Sequence, residues 1–256
     1  MRAMPASVTL LGIDGLPEFA EGDDVGALLV QACAAQGTAL TAGDVLVVTQ
    51  KIVSKAEGRV VDLNTITPSA LAVDFARRWD KDARAVEVVL SESVRVVRME
   101  NGIVITETRH GFVCANSGVD ASNVGTGSVD FVVLLPEDSD ASARRIRDRV
   151  RELVGIDVPV IVSDTFGRPW REGAGDVAIG VAGLEPLWDY RGKHDNDGRE
   201  LHSTVIAVAD ELASAAELVT NKLTRVPAAI IRGYPYKPGE SGIAPMIRER
   251  DKDLFR

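Results

Sequence analysis

The sequence predicts an α+β (mixed α/β) chain folded as two intimately packed lobes. Three observations predict it. Strand-like and helix-like segments alternate towards both ends of the 256 residues, the middle reads as antiparallel strands, and no linker, repeat or low-complexity segment divides the chain. Hydrophobic residues make up 45% of the sequence, enough for a sizeable core. Aromatics are only 5%, so Val, Ile, Leu and Ala must fill it.

Taken in order, Ser7 to Ile13 reads as a strand, and Gly15 and Pro17 punctuate the loop that follows. Asp23-Asp24 can cap a helix running to Gln36, which Gly37 ends. Val45 to Val53 reads as one strong strand, with a further short strand after Arg59. Ser69 starts a second helix, and Ala85 to Leu90 continues helically. Val94 to Met99 and Ile103 to Thr108 alternate like strands around the turn Glu100-Asn101-Gly102. Asp130 to Leu135 is a strand. Ser142 to Val154 is a helix whose Ile146, Val150 and Leu153 share one face, its arginines forming a solvated one. Pro159 to Val162 opens a buried strand. His202 to Val208 reads as a strand, Asp210 to Val219 as a helix and Ala228 to Ile231 as a last strand.

A net charge of −9 argues against nucleic acid and anionic membranes as partners, and requires a local basic patch for any anionic substrate. No apolar run approaches the ~18 residues of a membrane span, and the start lacks the apolar core of a signal peptide, so a cytoplasmic location is expected. Cys33 and Cys114 have neither metal-site nor disulfide-framework spacing, and Cys33 reads as core. His110, His194 and His202 read as structural or exposed, Asp195 and Asp197 beside Gly198 as turn residues, and Trp170 as packing.

Four polar clusters follow or interrupt strands: Gly15-Leu16-Pro17-Glu18-Phe19; Thr49-Gln50-Lys51 with Ser54-Lys55; Asp120 with Ser122-Asn123; and Asp164-Thr165 with Arg168 and Arg171. Two carboxylates, a threonine oxygen and an asparagine amide are ligands suited to Mg²⁺ or Mn²⁺, and lysines balance phosphate charge. Together they suggest phosphoryl chemistry. Neither a Walker loop nor a Rossmann fingerprint is present, and no nucleophile elbow argues for a hydrolase.

These clusters, with Gly22-Asp23-Asp24, Val47 to Arg59, His110 to Asp120, Asp164 to Arg171 and Ala209-Asp210-Glu211-Leu212-Ala213 leading to Arg232-Gly233, stand in the order of one family and span nearly the whole chain. The chain resembles the coenzyme F420-0:L-glutamate ligase family. The resemblance implies one ligase domain over residues 1–256, its two sub-lobes built from non-contiguous segments. The C-terminal flavin-binding domain that some actinobacterial relatives carry is expected to be absent. The resemblance also implies a homodimer with GTP, L-glutamate and F420-0 as substrates, an acyl-phosphate intermediate, and F420-1 as product, extended through the γ-carboxylate to F420-2 or longer. It further implies two Mn²⁺ or Mg²⁺ ions, with K⁺ as a helper.

Carried over residue by residue, Leu16, Pro17, Glu18, Phe19, Gln50, Lys55 and Asn123 would contact the nucleotide. The segment from Asn221 to Ala228 would close over it, with Lys222, Leu223 and Thr224 in contact. Asp120 and Asp164 would hold one ion, with Thr165 helping to hold the second. Lys55, Asp120 and Asp164 would be catalytic, and Arg168 and Arg171 would meet an acidic substrate. Lys222 stands where archaeal members tend to have glutamine, and Gln50 where some relatives have serine. The competing readings are a same-fold amide ligase for a different acid, a non-catalytic nucleotide-binding subunit, and a metal-dependent phosphatase.

Overall fold

The computed structural model describes residues 7–120 and 130–254. Strand β1 (Thr9–Gly12) leads to helix α1 (Val25–Ala35). The Asp24 carboxylate accepts the backbone N–H of Ala27, one of the donors that a helix start leaves without an intrahelical partner. Strand β2 (Val45–Thr49) runs directly into helix α2 (Gln50–Ala56), and β3 (Val60–Asp62) follows. Helices α3 (Ala70–Trp79) and α4 (Ala83–Ser91) are capped by Ser69 and Asp82. Strands β4 (Ser93–Glu100) and β5 (Ile103–Thr108) turn at Asn101 and Gly102, both at positive φ, the two-residue turn whose twist matches a hairpin. Strands β6 (Val113–Ala115) and β7 (Phe131–Val133) precede helix α5 (Ser139–Val154). Then come β8 (Val160–Gly167), β9 (Ala174–Ala182), β10 (Trp188–Asp189), β11 (Val205–Ile206), helix α6 (Val208–Thr220) and β12 (Ala228–Arg232).

The main sheet has the order β1-β12-β2-β8-β9. Its one parallel pair is β2 beside β8, with Val48 opposite Val162 and Thr49 opposite Ser163; the other neighbours are antiparallel. Val45, Leu46, Val48, Val160, Ile161, Val162, Ile230 and Ile231 are fully buried, which explains why these strands read as continuous apolar runs rather than alternating ones. Helices α5 and α6 both pack on β8 and β9, and α1 packs on α5. The carboxyl ends of β2 and β8 lie side by side. This edge of an open α/β sheet is where ligands bind, because backbone ends and loop side chains converge there without filling the space.

The smaller lobe is the antiparallel sheet β4-β5-β6 with α3 and α4, around Ala72, Phe75, Ala76, Val86, Val89 and Val104. The pair β3–β7 has its own apolar group, Leu63, Val88, Val132 and Leu134, and Val119 packs against both. That packing brings residues 115–120 over the end of the main sheet.

The predicted strand from Val45 to Val53 ends at Thr49 instead. Gln50 to Ala56 is helical because Ile52 and Val53 bury against the main core from a helix, and a short apolar run does not by its period separate the two conformations. The helix through Leu90 is broken at Asp80, which takes the left-handed conformation, with Asp82 capping the next helix. The strand from His202 shrinks to Val205–Ile206, and Val208 already starts α6. Trp170, read as packing, is 79% exposed. Cys33 is buried, His194 and His202 are exposed, and Asp195 accepts the N–H groups of Asp197 and Arg199 in a turn, as read.

The start of β2 is tied to the end of β12 by charge. Asp44 is 0% exposed and accepts from Arg232 Nε and Nη2, both at 2.8 Å, and from the Thr41 N–H at 2.8 Å. Arg232→Ala leaves that carboxylate buried without its counter-charge. A loss of about 3 kcal/mol is expected, read as a lower urea midpoint at unchanged slope.

Candidate active site

Beyond the ends of β2 and β8 opens a cleft of about 1300 Å³ between the main sheet and the smaller lobe. Each wall follows from a local feature of the chain. Strand β8 is apolar and buried as far as Val162. Its next residues, Ser163, Asp164 and Thr165, then line the cleft. Helix α2 begins where β2 stops, so Lys51 and Lys55, four residues apart, lie on one helical face that lines the cleft. The smaller lobe contributes Asp120, and Lys51 Nζ lies 2.7 Å from its Oδ2. Lys55 Nζ lies 3.2 Å from Glu18 Oε2 on the loop after β1. Gln50 is 2% exposed, and its Oε1 accepts no hydrogen bond among the described residues, leaving an acceptor for a ligand N–H or O–H.

Strand β9 sets Asp176 directly across from Thr165. Asp176 is 3% exposed. Its Oδ1 accepts from Thr165 Oγ1 at 2.5 Å and its Oδ2 from Ser163 Oγ at 3.3 Å. Helix α6 holds its backbone: Glu217 accepts the Asp176 N–H, and Ser214 Oγ donates to the Asp176 carbonyl at 2.7 Å. Just past α6, Lys222 Nζ donates to Thr165 Oγ1 and lies 3.9 Å from Asp176 Oδ1.

Burial pushes the Asp164 carboxyl up to about 7, and the charges of Asp120 and Asp176 push the same way, against the Thr165 N–H and Lys222. A carboxyl held more protonated in the fold than in the unfolded chain stabilises the fold at low pH and loses that contribution as pH rises through the folded value. Metal-free protein in chelator should therefore lose about 2 kcal/mol of stability from this group between pH 5.5 and 7, levelling off above. Asp164→Asn should remove that dependence in denaturant titrations across the pH range.

The anion-crowded Asp120–Asp164 pair fits a hard divalent cation, which would relieve the repulsion. Lys51 Nζ already meets Asp120 Oδ2, and a carboxylate can serve more than one partner, so the lysine and an ion can share it. Among the described residues no group of three or more His, Cys, Asp or Glu is gathered for a metal. Two carboxylates with remaining positions left to water and substrate match Mg²⁺ or Mn²⁺. The Thr165 end does not fit a second ion. Its single hydroxyl oxygen already donates to Asp176 and accepts from Lys222. An ammonium and a divalent ion about 4 Å apart there would repel by about 8 kcal/mol at an effective dielectric near 20.

Of the residues singled out from the sequence, Leu16, Pro17, Glu18, Phe19, Gln50, Lys55, Asp120, Asp164, Thr165, Lys222 and Leu223 line this cleft. Thr224 lies outside the lining and donates to the Thr220 carbonyl. Arg168 and Arg171 are on an exposed loop beyond β8, also outside it, and Arg168 donates to the carbonyls of Glu172 and Gly173. Asn123 lies outside the described residues. Asp176 and Glu217 also line the cleft, although no sequence motif singles them out. The signal available for Asp176 was its place in a glycine-rich apolar stretch, a strand that glycines disguise. No helix among the described residues is long and apolar enough to cross a membrane.

Residues 15–233 match the family model described as F420-0:Gamma-glutamyl ligase. The chain is 46% identical over 252 residues to the coenzyme F420:L-glutamate ligase of Methanothermobacter thermautotrophicus, covering 97% of this chain and 99% of that protein. It is 47% identical over 242 residues to the protein of the same name from Methanopyrus kandleri, covering 92% of each. Identity to the one from Methanocaldococcus jannaschii is 44% over 215 residues, covering 84% of this chain and 85% of that protein.

Proposed function

The chain belongs to the F420-0:gamma-glutamyl ligase family, and from that membership we propose that it joins L-glutamate to the terminal carboxylate of F420-0, with GTP as the activating phosphoryl donor. The observation that carries the GTP assignment is the pairing of Lys51 and Lys55 with the acidic wall of Asp120 and Asp164 in one cleft at the ends of β2 and β8. Lysines neutralise a triphosphate, and carboxylates hold the divalent ion that accompanies it.

A carboxylate oxygen is a poor leaving group. One oxygen of the F420-0 carboxylate attacks the γ-phosphorus, the bond to the β-phosphate oxygen breaks, and GDP leaves. The glutamate amine then attacks the carbonyl carbon of the acyl phosphate. Phosphate departs with one of the original carboxylate oxygens, and the amine gives up a proton. The product is an amide, F420-1. Its γ-carboxylate can enter the same cycle, giving F420-2 or longer.

Lys55 exchanges its Glu18 partner for phosphate oxygens, and Lys51 keeps the Asp120 side of the cleft neutral. Gln50 Oε1 accepts from the nucleotide. The loop from Leu16 to Phe19 and the segment after α6 flank the cleft and exclude water from the acyl phosphate, which hydrolysis would waste. Asp120 and Asp164 would hold Mg²⁺ or Mn²⁺, which supplies charge neutralisation to the phosphoryl group in flight.

The test is a mass-spectrometric assay with F420-0, L-glutamate, GTP and Mn²⁺. The expected result is a product heavier by one or more glutamyl units, with one GDP and one phosphate per unit. GTP cleavage at the same rate without glutamate and F420-0 would instead favour a phosphatase.

A further inference from the structure

We propose that the Lys222 ammonium is a fixed cation at the Thr165–Asp176 end of the cleft, so that this chain works with one divalent ion per active site and not two. The proposal deepens the ligase assignment above and rests on it for the identity of the phosphate.

Three contacts define the position. Thr165 Oγ1 donates its proton to Asp176 Oδ1, Lys222 Nζ donates to the same hydroxyl, and the ammonium lies 3.9 Å from Asp176 Oδ1. A hydroxyl has one proton and two lone pairs, so only one lone pair of Thr165 remains. A cation placed on it would sit beside the ammonium. The carboxylate of Asp176 is buried and needs a positive partner, and Lys222 supplies it.

The surroundings hold this arrangement in place. Asp176 is pinned through its side chain by Ser163, through its N–H by Glu217 and through its carbonyl by Ser214. Its partner strand carries Thr165 at the paired position. Lys222, by contrast, follows the end of α6 and is 65% exposed along its side chain. Its remaining N–H groups can therefore reach a phosphate oxygen. A lysine there does as a point charge what a second ion does by coordination: it balances the anionic oxygens gathered where phosphate meets carboxylate. Unlike an ion, it cannot dissociate, so this half of the site should be independent of free metal concentration.

The test counts ions. Wild type and Lys222→Gln, each at saturating non-hydrolysable GTP analogue, are dialysed to equilibrium against Mn²⁺, and the excess Mn²⁺ on the protein side is measured per chain. Lys222 is exposed, so the variant should fold, and its melting curve checks this. The expected result is one ion per wild-type chain and two per Lys222→Gln chain, because the amide offers an oxygen where the ammonium repelled. Two ions on the wild type, or one on both proteins, would overturn the proposal. No ion on the wild type would overturn it too, and would also remove the metal from the ligase assignment, so the two failures are told apart by the count.

Discussion

Asp164→Ala is expected to lower glutamyl transfer by on the order of 10³-fold or more, because a lost metal carboxylate forfeits several kcal/mol of charge stabilisation and each 1.4 kcal/mol is about tenfold in rate. The same substitution should not weaken the metal-free fold. Asp164 is held up to about 7 chiefly by burial, so at pH 8 its charge is a cost that the variant removes. The paired measurement is product mass from F420-0, L-glutamate and GTP beside thermal melting in chelator. Lost product with an unchanged or raised melting temperature is expected. Lost product with a much lower melting temperature would mean that Asp164 serves the fold and not the chemistry.

Gly180→Ala is expected to be among the most destabilising single methyl additions in the main sheet. A Cβ on Gly180 would lie 2.3 Å from the Ser139 carbonyl oxygen and 2.4 Å from its carbon, both backbone atoms in the first turn of α5. Neither can swing aside, so α5 must lift from the sheet. The same turn carries Asp140, whose Oδ1 accepts the N–H groups of Val181 and Ile243, and the shift would strain those bonds as well. The expected loss is about 3 kcal/mol, the upper range for overpacking, and the melting temperature should fall by roughly 10 °C at this chain length. Gly175→Ala on the same strand is the control. Its Cβ meets nothing within 4 Å, and stability should change by less than about 0.5 kcal/mol.

Gly180 also explains why part of the fold was hidden from the sequence. Strand β9 is the edge of the main sheet and sets Asp176 across from Thr165. Yet its glycines, Gly175 and Gly180, lower local strand propensity, and Gly180 at least answers to close packing by α5 and not to the strand itself. Asp176 was lost with it. Helix α2 was hidden for another reason: Ile52 and Val53 continue an apolar run begun in β2, and only the placement of neighbouring elements decides that the run bends at Gln50. What was legible was local chemistry. The Asp24 and Ser69 caps each satisfy a helix-start N–H, and Asn101-Gly102 tolerates the positive φ that a hairpin needs. Among the site residues, Asp164 and Thr165 announced themselves as polar groups at the exit of a buried strand. Their meeting with Asp120 and the two lysines of α2 is a long-range event that no local pattern encodes.

In the proposed reaction the F420-0 carboxylate is phosphorylated before glutamate attacks. Oxygen-18 in that carboxylate tests it most directly, with phosphate from a single cycle analysed by mass spectrometry. One labelled oxygen is expected in each phosphate released and one retained in the new amide. Unlabelled phosphate, formed alongside glutamylated product, would contradict it.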